Sequence, residues 1–173
     1  SQETNLGNLT AKANLAYAQE QDNSVMVSIK NGGGIRASIG EVTVPAGGTE
    51  AVRLPNQELV DGDGNVIKGE GAISQNDISS ALAFNNGLSL VSMTAAEMVA
   101  VLNHAANSGG QGAFGQFAGV EYSFDPARPE GSRVTQADIV DEDGNVLVAL
   151  VRNGVTVADA DLVIRAVVLN FMI

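Results

Sequence analysis

The residues with the most chemical potential are Asn31-Gly32-Gly33-Gly34-Ile35-Arg36. Three consecutive glycines let a backbone approach a ligand closely, and the arginine that follows supplies a planar, permanently charged donor fork suited to a phosphate. Residue type alone leaves a second reading open, a mobile loop that carries a surface arginine. His104, the one histidine, stands in a predicted helix with no second histidine and no cysteine to share a metal, and reads as a surface or capping residue. Asp61-Gly62-Asp63-Gly64-Asn65 suggests calcium, but an EF-hand loop counted from Asp61 would need glycine and glutamate where Val66 and Ala72 stand. Asp141-Glu142-Asp143-Gly144-Asn145 reads as a solvated hairpin tip. No Ser-His-Asp set or nucleophile elbow can be assembled, and a two-metal ligand cluster has no counterpart. The expectation is a chain with no catalytic residue and no metal site of its own.

The elements that must hold these residues come from a chain of 173 residues, the size of one domain, with a formal net charge of -11. A domain of this length buries roughly 70% of the surface its unfolded form exposes, so folding needs no staple. The acidic balance opposes capture of a nucleic-acid polymer, which rests on clustered Lys and Arg. One phosphate can still be held by a local arginine and backbone N–H groups. The absence of cysteine removes disulfides and thiolate chemistry. No apolar run approaches the ~20 residues of a membrane span.

Leu6, Leu9, Ala13 and Tyr17 recur at helical spacing, which predicts an amphipathic helix over 4–19 capped by Thr4 or Asn5. The β-branched run 24–29 predicts a buried strand entering a flexible glycine loop. A short strand is expected at 42–44. The polar text of 45–71 reads as a surface insertion containing a hairpin around an Asp-Gly turn. A helix over 73–82 capped by Ser74 or Asn76 and a strand over 88–93 follow. Thr94 and Glu97 form a capping box that starts a helix running to about Ala106. The glycine-rich stretch 109–119 reads as a loop holding Phe114 and Phe117, and strands are expected at 120–124, 134–140 and 146–151. The uniformly apolar segment 162–171 predicts a central strand. Intermixed helices and strands predict an α+β domain with a mixed β-sheet.

Several of these blocks, in register, carry more than any one of them. Glu3-Thr4-Asn5-Leu6-Gly7-Asn8-Leu9, Asn31-Gly32-Gly33-Gly34-Ile35-Arg36-Ala37-Ser38-Ile39, Phe84-Asn85-Asn86, Gly112-Ala113-Phe114-Gly115-Gln116-Phe117 and Leu169-Asn170-Phe171 together resemble the 5'-nucleotidase C-terminal domain family, of the bacterial 5'-nucleotidase or UDP-sugar hydrolase type. The sequence departs from that pattern at Ala83, where the family has proline, and in the length of 45–71. The family's Gly-Gly-Asp-Gly-Tyr segment does not follow Phe171, which implies a domain truncated at its C-terminal end.

The resemblance implies a substrate-binding domain whose catalysis belongs to an N-terminal metallophosphoesterase domain holding two divalent metals. Carried over by position, Phe84 and Phe171 would stack on a nucleoside base, Asn86 would hydrogen-bond its edge, Gly112 would lie near it through backbone, and Arg36 would contact phosphate or ribose. Asn31, Gly32, Gly33 and Gly34 would form a supporting loop, although residue type by itself makes Asn31 a simple turn residue. Composition by itself would instead make both phenylalanines ordinary core residues. The family further implies a nucleotide or nucleoside as ligand, a periplasmic or extracellular setting, and no role for the chain alone in hydrolysis. A different class of reading is a non-catalytic surface or adhesion module that keeps the fold.

Overall fold

The computed structural model describes residues 3–173. In chain order its elements are α1 (Asn5–Gln21), β1 (Val25–Asn31), a 3-10 turn (Gly32–Gly34), β2 (Glu41–Thr43), β3 (Val52–Leu54), β4 (Leu59–Val60), β5 (Val66–Lys68), α2 (Gln75–Ala81), β6 (Leu88–Thr94), α3 (Ala95–Asn107), β7 (Gly115–Ala118), β8 (Val120–Phe124), β9 (Val134–Val140), β10 (Val146–Arg152), β11 (Val155–Thr156), β12 (Val163–Leu169) and a 3-10 turn (Asn170–Met172). This is an α+β chain with mixed sheets. It forms two compact units, a larger one running up to Gly33 and resuming at Asn86, and a smaller one over Gly34–Asn85. No helix is long and apolar enough to cross a membrane among the described residues.

The larger unit is built on a four-stranded sheet of order β6-β12-β1-β7. The apolar run of β12 takes a central place, parallel to β1 and antiparallel to β6. Val27 and Ile29 of β1 and Ile164, Ala166 and Val168 of β12 pack with Met98 and Leu102 of α3 and with Ile139 and Leu150 of the second sheet. That second sheet is antiparallel, of order β11-β10-β9-β8. A bulge in β1 sets the two-residue step from Val25 to Val27 against the single step from Arg165 to Ala166. The extra residue reverses which face the strand presents. Val25 consequently joins a separate cluster with Ala18 and Val167, while Val27 enters the main core.

Helix α3 begins as its capping box requires: the Glu97 N–H donates to Thr94 Oγ1, and the Thr94 N–H donates to Glu97 Oε2 at 2.7 Å. Its buried Asn103 ties helix to sheet, accepting the Val134 N–H at 3.0 Å and donating to the Val99 carbonyl. Helix α1 corrects the expected amphipathic stripe. Thr4 caps it, but its buried face is Gly7, Ala11 and Ala18, while Leu9 and Tyr17 are exposed. Small residues win because the helix lies close to β7. A Cβ on Gly7 would run into the Gln116 carboxamide, whose oxygen accepts the Thr4 N–H at 2.9 Å, and Glu3 accepts the Phe117 N–H at 2.7 Å.

Strand β7 is a second correction, since it lies inside the stretch read as a loop. Gly115–Ala118 is buried throughout and pairs antiparallel with β1. The glycine that suggested a loop is there for space: a Cβ on Gly115 would strike the Phe117 ring and Ala105.

The smaller unit holds the paired strands β2–β3 and β4–β5 with helix α2. Two-stranded ribbons have little intrinsic stability, and here Val42, Val52, Leu59, Val60, Val66 and Ile67 stay exposed. Polar ties take the place of a core. Asp77 closes the α2 capping box, accepting the Ser74 N–H at 2.7 Å and the Ser74 hydroxyl at 2.6 Å, and also receives Lys68 Nζ at 3.2 Å and Asn56 Nδ2 at 3.3 Å. The buried Asn56 in turn donates to the Ala72 carbonyl at 2.8 Å. The Ser74 hydroxyl, then the Ser74 N–H, and then Lys68 pull the Asp77 carboxyl down to about 2. A carboxyl depressed in the folded state stabilises it above the unfolded pKa of about 4, and that stabilisation is lost as pH falls through about 2. Amide NMR of Gln75–Ala81 should therefore show helix order falling between about pH 4 and pH 2 in the native chain, and a flatter profile in Asp77→Asn. Identical acid profiles for the two proteins would remove Asp77 from this role.

Candidate functional site

In the larger unit, strand direction decides where the candidate residues go. Because β1 and β12 are parallel, Asn31 and Leu169 end their strands at the same edge of the sheet. Because β6 and β7 run antiparallel to those neighbours, their starting residues Leu88 and Gly115 come to that edge as well. Four segments distant in sequence thus gather at one sheet end: Asn31-Gly32-Gly33 after β1, Asn86-Gly87 before β6, Gly112 before β7 and Asn170-Phe171 after β12. Backbone bonds fasten them in pairs. The Asn170 N–H donates to the Gly87 carbonyl at 2.9 Å, and the Gly33 N–H donates to the Gly112 carbonyl at 2.7 Å.

The glycine run is not a free loop. Gly32–Gly34 is a 3-10 turn in which the Gly32 N–H donates to the Phe114 carbonyl at 2.8 Å and the Asn31 amide donates to the Gly112 carbonyl at 3.3 Å. Asn31 is accordingly the last residue of β1, not a turn residue. The N–H groups of Gly32 and Gly33 are engaged by carbonyls, so these two glycines serve a backbone-to-backbone approach and do not form an open phosphate cradle. A Cβ on Gly33 would stand 3.0 Å from the Gly112 Cα.

In the smaller unit, Arg36 and Phe84 meet. The Arg36 N–H donates to the carbonyl of Ala81, the fully buried last residue of α2, at 2.8 Å. Its guanidinium carbon lies 5.5 Å from the centroid of the Phe84 ring. Asn85, next in the chain, has a φ of 47°, a left-handed backbone that asparagine tolerates better than most residues. In the sequence Asn85 is marked only by its residue type and by its place in the Phe84-Asn85-Asn86 block.

The phenylalanines separate sharply by burial. Phe114 and Phe117 are 5% and 3% exposed, whereas Phe84 and Phe171 are 59% and 56% exposed. The ordinary core alternative for Phe84 and Phe171 is excluded. Asn86 is half-buried and Gly112 exposed. His104 is exposed in the last turn of α3. Asp61 and Asp141 each fold their carboxylate back onto their own turn, accepting the Asn65 and Asn145 N–H groups at 2.8 Å. Among the described residues no group of three or more His, Asp or Glu side chains is placed to hold a metal.

A cleft of about 1040 Å³ lies in the larger unit beside α1 and the second sheet, and none of the candidate residues lines it. Glu3, Glu121, Asp138, Asp141 and Glu142 face it against Lys12. Burial raises the Glu3 carboxyl, and burial together with Glu3 raises the Tyr122 hydroxyl beside it. Such a wall repels a phosphate.

Four strand termini thus meet at one sheet end of the larger unit, and within the smaller unit an exposed aromatic ring has an arginine set against it. The chain belongs to the 5'-nucleotidase C-terminal domain family, whose model matches residues 56–159. The matched span contains Phe84, Asn86 and Gly112, while Arg36 and Phe171 lie outside it. The chain is 29% identical over 147 residues to the trifunctional nucleotide phosphoesterase protein YfkN of Bacillus subtilis (strain 168), covering 84% of this chain and 8% of that protein. It is 28% identical over 153 residues to a 5'-nucleotidase of Diplobatis ommata, covering 84% of this chain and 22% of the relative. The fold matches a 5'-nucleotidase precursor from Thermus thermophilus with a TM-score of 0.65 and 26% identity, over 98% of this chain and 26% of the other. The chain therefore spans less than a third of each of these relatives.

Gly33→Ala is expected to destabilise the larger unit by about 1–3 kcal/mol, since the added methyl meets backbone that cannot rotate away. Thermal denaturation measures this, and an unchanged midpoint would show that the turn at Gly32–Gly34 yields freely.

Proposed function

We propose that this chain is the nucleotide-recognising part of a metal-dependent phosphoesterase, with hydrolysis performed by a two-metal domain outside this chain. The observation that supports the reading most is the placement of Phe84, an apolar ring 59% exposed to water with a guanidinium over it. An exposed ring of this kind gains by stacking on a base, and the gain is about 1–3 kcal/mol per base. Arg36 supplies local positive charge in an acidic chain, which suits one phosphate and not a polymer of them. The larger unit offers its own candidates for the same class of ligand: Phe171 as a stacking ring, the Asn86 amide for hydrogen bonds to a base edge, and the Gly112 backbone. Membership of the family and likeness to nucleotide phosphoesterases support the ligand class. A periplasmic or extracellular setting belongs to this proposal through the same relatives.

Exposed valine and isoleucine on the ribbons of the smaller unit favour a second reading, a surface or adhesion module that binds protein through 42–67. Ligand binding separates the two. Calorimetric titration of the chain with adenosine and AMP should show binding that Phe84→Ala weakens by about 5- to 150-fold, the equivalent of one lost stacking face. No binding of either ligand by the native chain would overturn the nucleotide reading in favour of the module. The chain alone should release no phosphate from AMP with magnesium, manganese or zinc present. Metal-dependent release by rigorously purified protein would place catalysis here and overturn the division of labour.

A further inference from the structure

The carried-over role of Arg36 is a contact with the substrate's phosphate or ribose. Its position points to a different task. The guanidinium carbon stands 5.5 Å from the Phe84 ring centroid, within the range of a cation–π contact. Both side chains hang from one helix end: Arg36 is held through its N–H to the Ala81 carbonyl at 2.8 Å, and Phe84 follows Ala81 by three residues. Ala81 is fully buried, so this anchor is the fixed point of an otherwise exposed segment. On the far side of Phe84 the chain turns through the left-handed Asn85, which restricts how the ring-bearing residue leaves the helix.

We propose that Arg36 is a positioning residue for base stacking: its guanidinium covers one face of the Phe84 ring, fixes the ring's orientation, and leaves the opposite face for a nucleobase. The inference rests on the nucleotide reading above and deepens it. A ring that is held before the ligand arrives loses less rotamer freedom on binding, so the contact improves affinity for the base itself. A cation on one face also draws π-density and makes the other face a better partner for an electron-rich base. Arginine suits this and lysine does not, because the guanidinium is planar, delocalised and weakly hydrated, whereas an ammonium is a compact, strongly hydrated point charge.

A role through the ring and a role through the phosphate predict opposite results with a ligand that has no phosphate. The chain, Arg36→Lys and Arg36→Gln are titrated with adenosine and with AMP by calorimetry. Adenosine affinity should fall about 2- to 5-fold in both variants, the equivalent of one exposed cation–π contact, and Lys should fail to rescue it. Proton NMR of the free chain gives a readout that needs no ligand: the Arg36 side-chain protons should be shifted upfield by the Phe84 ring current, and the shift should vanish in Phe84→Leu. Adenosine binding that is unchanged in both variants while AMP binding falls would overturn the positioning role and leave the nucleotide reading intact. Absence of the ring-current shift would overturn it as well. A native chain that binds neither adenosine nor AMP would overturn the nucleotide reading and the positioning role with it.

Discussion

The parallel pairing of β1 with β12 is the constraint from which the rest of the larger unit follows. It joins residues 25–31 to residues 163–169, so almost the whole chain lies between its two central strands. Parallel neighbours cannot be linked by a tight turn, and the long connection is used to build α3, β6, β7 and the second sheet. The same pairing fixes direction. Both central strands deliver their C-terminal ends to one edge, and the antiparallel partners on either side bring their starts there too. Here that edge collects glycine, asparagine and an exposed phenylalanine, and excludes the acidic groups that face the cleft beside α1.

Close approach is the second theme, and it explains why the glycines sit where they do. Gly7 brings α1 onto Gln116, Gly115 makes room for the Phe117 ring, and Gly33 lies against Gly112. In each case the missing side chain is replaced by a neighbour, not by solvent. The N-terminus of α1 is then stitched to β7 through the Thr4–Gln116 and Glu3–Phe117 bonds, which couple the helix start to the strand that positions Gly112. Buried Lys30, 3% exposed, belongs to the same layer: its ammonium donates to Thr10 at 2.7 Å and is pushed down by burial. The smaller unit is organised differently. With few buried side chains, it relies on a carboxylate, Asp77, which gathers a helix cap, a lysine and an amide. This suits a segment whose exposed side chains are offered outward.

Local chemistry was legible in the sequence wherever one short stretch carried its own signal. The capping box at Thr94, the cap at Ser74, the hairpin turns closed by Asp61 and Asp141, and the apolar run of β12 were all readable, because their partners lie within a few residues or their burial requires a long uniform run. The family was readable from several blocks in order. What could not be read depended on partners far away in the chain. Leu9 and Tyr17 satisfy helical periodicity and yet point to solvent, since the packing surface of α1 was chosen by how near β7 comes. Gly115 looked like loop because a glycine needed for space and one needed for flexibility are the same letter.

By itself, the sequence determined both longer helices, most of the long strands, the acidic balance, the α+β class and the two candidate aromatic residues, all of which follow from residue type, short-range spacing and the order of the blocks. Only the tertiary structure decided that Phe84 and Phe171 are exposed while Phe114 and Phe117 are core, and that the Gly32 and Gly33 N–H groups bond to carbonyls. It also decided that Arg36 lies over an aromatic ring. Exposure, hydrogen-bond partners and ring contacts are properties of which chain segments become neighbours, and sheet order and strand direction set those neighbours, neither of which any local pattern encodes.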